Sequence, residues 1–101
     1  MGACNFIDFK AAETAQEAYD ALVQDAFWEY GHDPYNGTIS TCHLKGRPVR
    51  IADEWSEDVR ELAIAEADAN EWGEKREARP IDCGACGDDL RMWAFYGWAA
   101  C

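Results

Sequence analysis

Positive charge is the scarce component of this chain: nine Lys and Arg stand against twenty Asp and Glu among 101 residues, for a formal net charge of −11. A field of that sign repels phosphate backbones, which argues against direct nucleic-acid binding and in favour of basic protein surfaces as partners. Histidine is nearly missing, with only His32 and His43, and His32 beside Asp33 in a Gly/Pro turn reads as a solvated residue rather than a general base. There is no P-loop, no G-x-G-x-x-G and no nucleophile elbow around a Ser or Cys. The expectation is a non-enzymatic protein without catalytic residues. No long apolar run occurs, and the opening Met1-Gly2-Ala3-Cys4-Asn5-Phe6 lacks a basic segment. Neither a signal peptide nor a membrane span is therefore expected, Phe6 sits where a myristoylation signal needs Ser or Thr, and the reading is cytoplasmic. In that reducing compartment the five cysteines (Cys4, Cys42, Cys83, Cys86 and Cys101) are expected to be mostly free thiols or metal ligands, not a disulfide frame.

What is present is ample apolar material, at 49% of residues with five Trp, so the charge decorates a folded body and not a disordered acidic tail. The length suits one domain spanning 1–101. Cys4–Lys10 reads as a strand. Thr14-Ala15-Gln16-Glu17 is a capping box, and Ala15, Ala18, Tyr19, Leu22, Val23, Ala26, Phe27 and Tyr30 keep helical period up to Gly31, a natural helix stop. His32–Gly37 is a turn cluster, whose Gly and Asn offer backbone N–H groups to an anion such as a small nucleotide, although Asp33 opposes one.

Thr38–Leu44 is β-prone, and Lys45-Gly46-Arg47-Pro48 reads as a hairpin connection into an edge strand at 49–52. Ser56 caps a second helix with Glu57 and Asp58 in its first turn, Trp55, Val59, Leu62, Ala63 and Ala67 mark its buried side, and it fades near Asn70–Gly73. Glu74–Pro80 reads as an exposed connection, Cys83–Gly87 as a tight loop, and Leu90–Trp98 as a last strand that is apolar on both faces. The order β-α-β-β-α-β predicts an α+β domain of the split βαβ, ferredoxin-like kind: a four-stranded antiparallel sheet with both helices on one face, a three-stranded variant being the rival. The other sheet face would then need cover from the 70–90 segment, a second copy in a homodimer, or a partner.

Three constellations bear on function. Asp53, Glu54, Glu57, Asp58 and Glu61 span about 12 Å of helix axis, or about one negative charge per 2.4 Å against about one per 1.7 Å in duplex DNA. Such a row either keeps a small protein soluble or occupies a basic groove built for phosphates. Cys83 and Cys86, three residues apart in a Gly-assisted turn, are half of a structural zinc site. The remaining ligands are open among Cys42, His43, Cys4 and Cys101, so a zinc-stabilised interaction adaptor is the alternative reading. Asp82, Asp88 and Asp89 surround that pair and oppose a redox role by raising a thiol pKa. Phe6, Trp93 and Phe95 are of the type that stacks bases on a sheet face, without a basic footprint to hold the backbone.

Taken together, Gly2-Ala3-Cys4-Asn5-Phe6, Tyr30-Gly31-His32-Asp33-Pro34-Tyr35-Asn36-Gly37-Thr38-Ile39 and Phe95-Tyr96-Gly97-Trp98-Ala99 resemble a family of short bacteriophage and prophage proteins. The resemblance covers both ends and the first helix–turn–strand unit and is weakest across 66–91. It transfers no catalytic residue. It implies a phage-type inhibitor that binds and blocks host machinery, CRISPR effectors, restriction enzymes and polymerases among them. With the acidic row, the expectation is an anti-CRISPR-like nucleic-acid mimic whose partner is a basic, nucleic-acid-binding host protein.

Overall fold

The computed structural model describes residues 2–31 and 37–101; of the turn expected at His32–Gly37, residues 32–36 lie outside them. Strand β1 (Ala3–Ala12) is followed by helix α1 (Ala15–Tyr30), a short 3-10 turn (Ile39–Thr41), strands β2 (His43–Leu44) and β3 (Val49–Arg50), helix α2 (Glu57–Ala69), and strands β4 (Glu77–Gly87) and β5 (Leu90–Ala100). The fold is α+β, with a mostly antiparallel five-stranded sheet ordered β1-β5-β4-β2 and with β3 also on β4. β1 pairs with β5 over its whole length, from Ala3 opposite Ala100 to Ala12 opposite Arg91. β4 pairs with β5 on the other side.

Both helix starts follow local chemistry. The Thr14 side chain accepts the Glu17 N–H and Ser56 accepts the Val59 N–H, each satisfying one of the donors that a helix N-terminus leaves unpaired. Gly31 closes α1 at φ 75° with its N–H on the Phe27 carbonyl, a backbone shape that favours glycine.

The ferredoxin-like arrangement does not hold in two respects. First, β2 and β3 form no hairpin: both run parallel to β4, end to end along one of its edges, with His43 and Leu44 opposite Glu77 and Ala78 and with Val49 and Arg50 opposite Ile81 and Asp82. The β-prone 38–44 run is instead spent largely in the Ile39–Thr41 3-10 turn and its caps Thr38 and Cys42, the Thr38 side chain accepting the Ser40 N–H. Second, the helices lie on opposite faces. Trp93, Phe95 and Ala99 of β5 pack with Ala18 and Ala26 of α1, whereas Ala94 and Tyr96 pack with Val59, Ala63 and Ala67 of α2. The chain crosses from β1 to the far edge through α1, then steps back from β3 to β4 through α2. Crossovers of one hand that travel in opposite directions place their helices on opposite faces. The two-faced apolar pattern of β5 is the signature of this burial between two layers, and α2 covers the second face with Trp72 packed against the same cluster.

Three further expectations are corrected. The 74–80 segment is an exposed connection only over Glu74–Arg76: β4 begins at Glu77, and Ala78 and Pro80 are buried in it. Cys83–Gly87 is not a loop but the irregular end of that strand, its register shifting between Asp82 and Ala85 and again before Gly87. The reversal is instead made by Asp88-Asp89, with Asp89 at φ 58°, a conformation Asp tolerates better than most residues. Leu62, expected on the buried side of α2, is 53% exposed.

The two ends of the described chain are joined by a Cys4–Cys101 disulfide across the β1–β5 edge, a bond not expected from the sequence, while Cys42, Cys83 and Cys86 are free. Gly2 and Cys101 also exchange both backbone hydrogen bonds, at 3.2 and 3.3 Å. A cross-link closing so long a loop restricts the unfolded chain, and Cys101→Ser is expected to cost about 2–4 kcal/mol, read as a lower urea midpoint that reductant reproduces in the parent protein.

Candidate acidic interaction surface

Each acidic side chain of the 53–61 stretch is placed by a local constraint. Val59, Ala63 and Ala67 turn one side of α2 into the core, so Glu57, Asp58 and Glu61 fall on exposed positions of the same helix. Glu57 and Glu61 are four residues apart and share a face. Asp53 and Glu54 precede the Ser56 cap and are not helical, so the row is not one continuous helical ridge as the sequence suggested. They sit on an extended segment tied to the end of β4: the Ala85 N–H donates to the Asp53 carbonyl at 2.8 Å, and the Trp55 N–H donates to the Ala85 carbonyl at 2.9 Å. Gly84 makes this approach feasible. Its φ is 101°, and a Cβ there would come within 2.6 Å of the Glu54 backbone.

All five carboxylates are exposed, and none takes part in an ion pair among the described residues. Arg60, the one cation within the row, lies 4.8 Å from the Phe9 ring centroid, a cation–π contact that turns it toward an aromatic group. Phe9 in turn contacts Trp55, their ring centroids 5.5 Å apart. Leu62 of the same helix is half-exposed and offers an apolar side chain to solvent.

The contrast is Asp82, only 5% exposed, which the sequence marked only as an acidic neighbour of the Cys83/Cys86 pair. Arg91 Nε donates to it at 2.9 Å, Arg50 Nε at 3.2 Å and the Gly84 N–H at 3.0 Å. Burial pushes its pKa up, but the hydrogen bonds from Arg91, Gly84 and Arg50 outweigh burial and hold it below the usual carboxylate value. Asp82 is thus neutralised where it is buried, whereas the 53–61 acids have no ion-pair partner among the described residues. Asp8 on β1 is the opposite case, its pKa raised by burial.

Cys83 and Cys86 are separated by environment. Cys83 is fully buried in the α2-side core and its pKa is pushed up to about 12, by burial first and by Asp82 second. Cys86 is exposed. Metal binding by Cys83 would require ionising a thiol packed among apolar side chains, which its raised pKa opposes. Cys42 is buried with Sγ near the Trp98 carbonyl, His43 is exposed, and Cys4 and Cys101 are bonded to each other. Among the described residues no three His, Cys, Asp or Glu side chains converge as a metal ion would need. Trp93 and Phe95 are buried beneath α1 with Phe6 packed against them, so this face offers no base-stacking platform.

No helix among the described residues is long and apolar enough to cross a membrane. Comparison of the chain with protein-family models, with curated proteins and with solved structures yields no match.

Proposed function

We propose that the protein is a non-enzymatic, phage-type inhibitor that uses Asp53, Glu54, Glu57, Asp58 and Glu61 to occupy a basic, nucleic-acid-binding surface of a host defence protein, such as a CRISPR effector. One observation carries this reading: five exposed carboxylates without ion-pair partners among the described residues stand on a frame held by the Ser56 cap and the Asp53–Ala85–Trp55 hydrogen bonds. Fixed charges of one sign give fast, salt-sensitive association with a complementary cationic cleft. The resemblance of the chain's segments to short phage proteins favours the same class of activity. Burial of Cys83 and exposure of Cys86 weigh against the zinc-stabilised adaptor, and the small-nucleotide alternative rests on the Gly31–Gly37 turn, of which residues 32–36 lie outside the described residues.

The test is capture of host proteins on the immobilised chain, followed by elution with duplex DNA or with salt. Duplex DNA is expected to displace the captured protein, and reversing Glu54, Glu57, Asp58 and Glu61 to Lys is expected to abolish capture. Equal retention by the charge-reversed chain, at matched thermal stability, would reject this surface.

A further inference from the structure

The parallel ladder between β2 and β4 stops for a chemical reason. Lys45 donates its N–H to the Ala78 carbonyl at 2.9 Å; the next bond of a parallel ladder needs a donor at residue 80, and Pro80 has none. The edge therefore lifts away from β4 over residues 45–48, with Gly46 at φ 85°, and pairing resumes at Val49 and Ile81. Under the lifted segment lies a cavity of about 300 Å³, lined among others by Lys45, Arg47, Arg79, Tyr96, Glu66 and Asn70.

This cavity inverts the charge of the molecule. Three of the nine basic residues of a −11 chain converge on it. Lys45 and Arg47 are exposed at the rim. Arg79 is partly buried; its Nη2 lies 3.7 Å from a Glu77 carboxylate oxygen, while its Nε is a buried donor with no acceptor among the described residues. Tyr96, 5% exposed, contributes a buried phenol. Glu66 is the one carboxylate in the lining; Asn70 Nδ2 lies 3.4 Å from its Oε1 and donates to its main-chain carbonyl at 2.8 Å. The neighbouring α2 carbonyls of Ala67 and Asp68 are taken by Trp72 and Glu71 N–H groups, so the helix end presents few free acceptors there.

We infer that the Pro80 interruption creates an oxyanion-binding pocket, in which Arg79, Lys45 and Arg47 hold a phosphate or carboxylate group of a small molecule while the Tyr96 hydroxyl donates from the floor. Guanidinium and ammonium donors suit such groups, and the volume is at the scale of small-ligand sites. A polyanion is excluded as occupant, because the surrounding field repels an extended chain of phosphates while one small anion meets the local cations. This pocket is independent of the acidic surface of 53–61 and shares no residue with it.

The experiment titrates ¹⁵N-labelled protein with inorganic phosphate and, separately, with malonate, ionic strength being held constant with sodium chloride. Saturable shifts are expected at the Gly46 and Arg47 amides and at the Arg79 Nε–H in at least one arm. Saturation by phosphate alone assigns a phosphorylated ligand, by malonate alone a carboxylate, by both the shared chemistry. Arg47→Gln, at an exposed rim position that leaves the fold intact, is expected to weaken binding by about fivefold or more, and Lys10→Gln on the far edge of the sheet to leave it unchanged. Shifts that are linear in concentration, that chloride alone reproduces, or that Arg47→Gln leaves untouched would overturn the assignment.

Discussion

Gly97→Ala is expected to destabilise the protein by about 4 kcal/mol or more, at the upper end of overpacking effects. Gly97 lies in β5 between Phe6 of β1 and Ala78 of β4. A Cβ built there would come 1.9 Å from the Glu77 carbonyl oxygen and 3.3 Å from the Phe6 ring. The first contact is with backbone and cannot be relieved by a rotamer change. Relief requires moving the start of β4, and with it the Arg76 N–H bond to the Trp98 carbonyl and the His43 N–H bond to the Arg76 carbonyl. Against a domain stability of about 5–15 kcal/mol, that loss is large, and the melting temperature should fall by about 15 °C or more. A fall of under 3 °C would mean that the crossing of Glu77 over Gly97 yields without cost, contrary to the packing described.

The second large effect is expected at Asp82. Asp82→Ala removes the acceptor shared by Arg91, Arg50 and the Gly84 N–H. Arg91, whose Nη2 is already a buried donor without an acceptor among the described residues, is left as an uncompensated charge. Breaking a buried pair by deleting one partner costs about 3–5 kcal/mol. The cost has a pH signature. The folded-state pKa of Asp82 is below its ordinary value of 3.8, so its contribution is fully present above that value and is lost as the pH falls through the folded pKa. Urea midpoints of parent and variant should thus differ by a constant amount from pH 7 to 5 and converge below pH 4. Asp82→Asn, which retains an acceptor for Gly84, is expected to lie between the two. A gap that stays unchanged down to pH 2.5 would show that the arginines are held by something other than this carboxylate.

Asp82 and the Glu77 carbonyl that Gly97 faces lie in β4, a stretch that sequence patterning reads poorly. A Pro at 80 and a charged run before it suggest a loop, yet Ala78, Ile81 and Cys83 are fully buried in β4. Cross-strand neighbours override the local composition there. The pairing of Asp82 carried no visible signal either, because its partners Arg50 and Arg91 come from other strands. The candidate site was more legible: the five acids were identifiable as a cluster, and Ser56 as the cap of the helix that bears three of them. Their frame was not, since the Asp53–Trp55 segment is set by hydrogen bonds to Ala85, thirty residues away in the chain.

What the sequence alone determined is local. The Thr14 and Ser56 caps, the two helices, the apolar strands at either end and the negative charge all follow from residues a few positions apart, where side-chain hydrogen bonding and periodic burial act within one element. The tertiary structure decided which edges pair and which face each helix covers. Pairing of β4 with β5, the broken parallel edge at Pro80 and the Cys4–Cys101 closure depend on contacts between residues distant in the chain. Their energy is settled only once both faces of β5 must be buried at the same time.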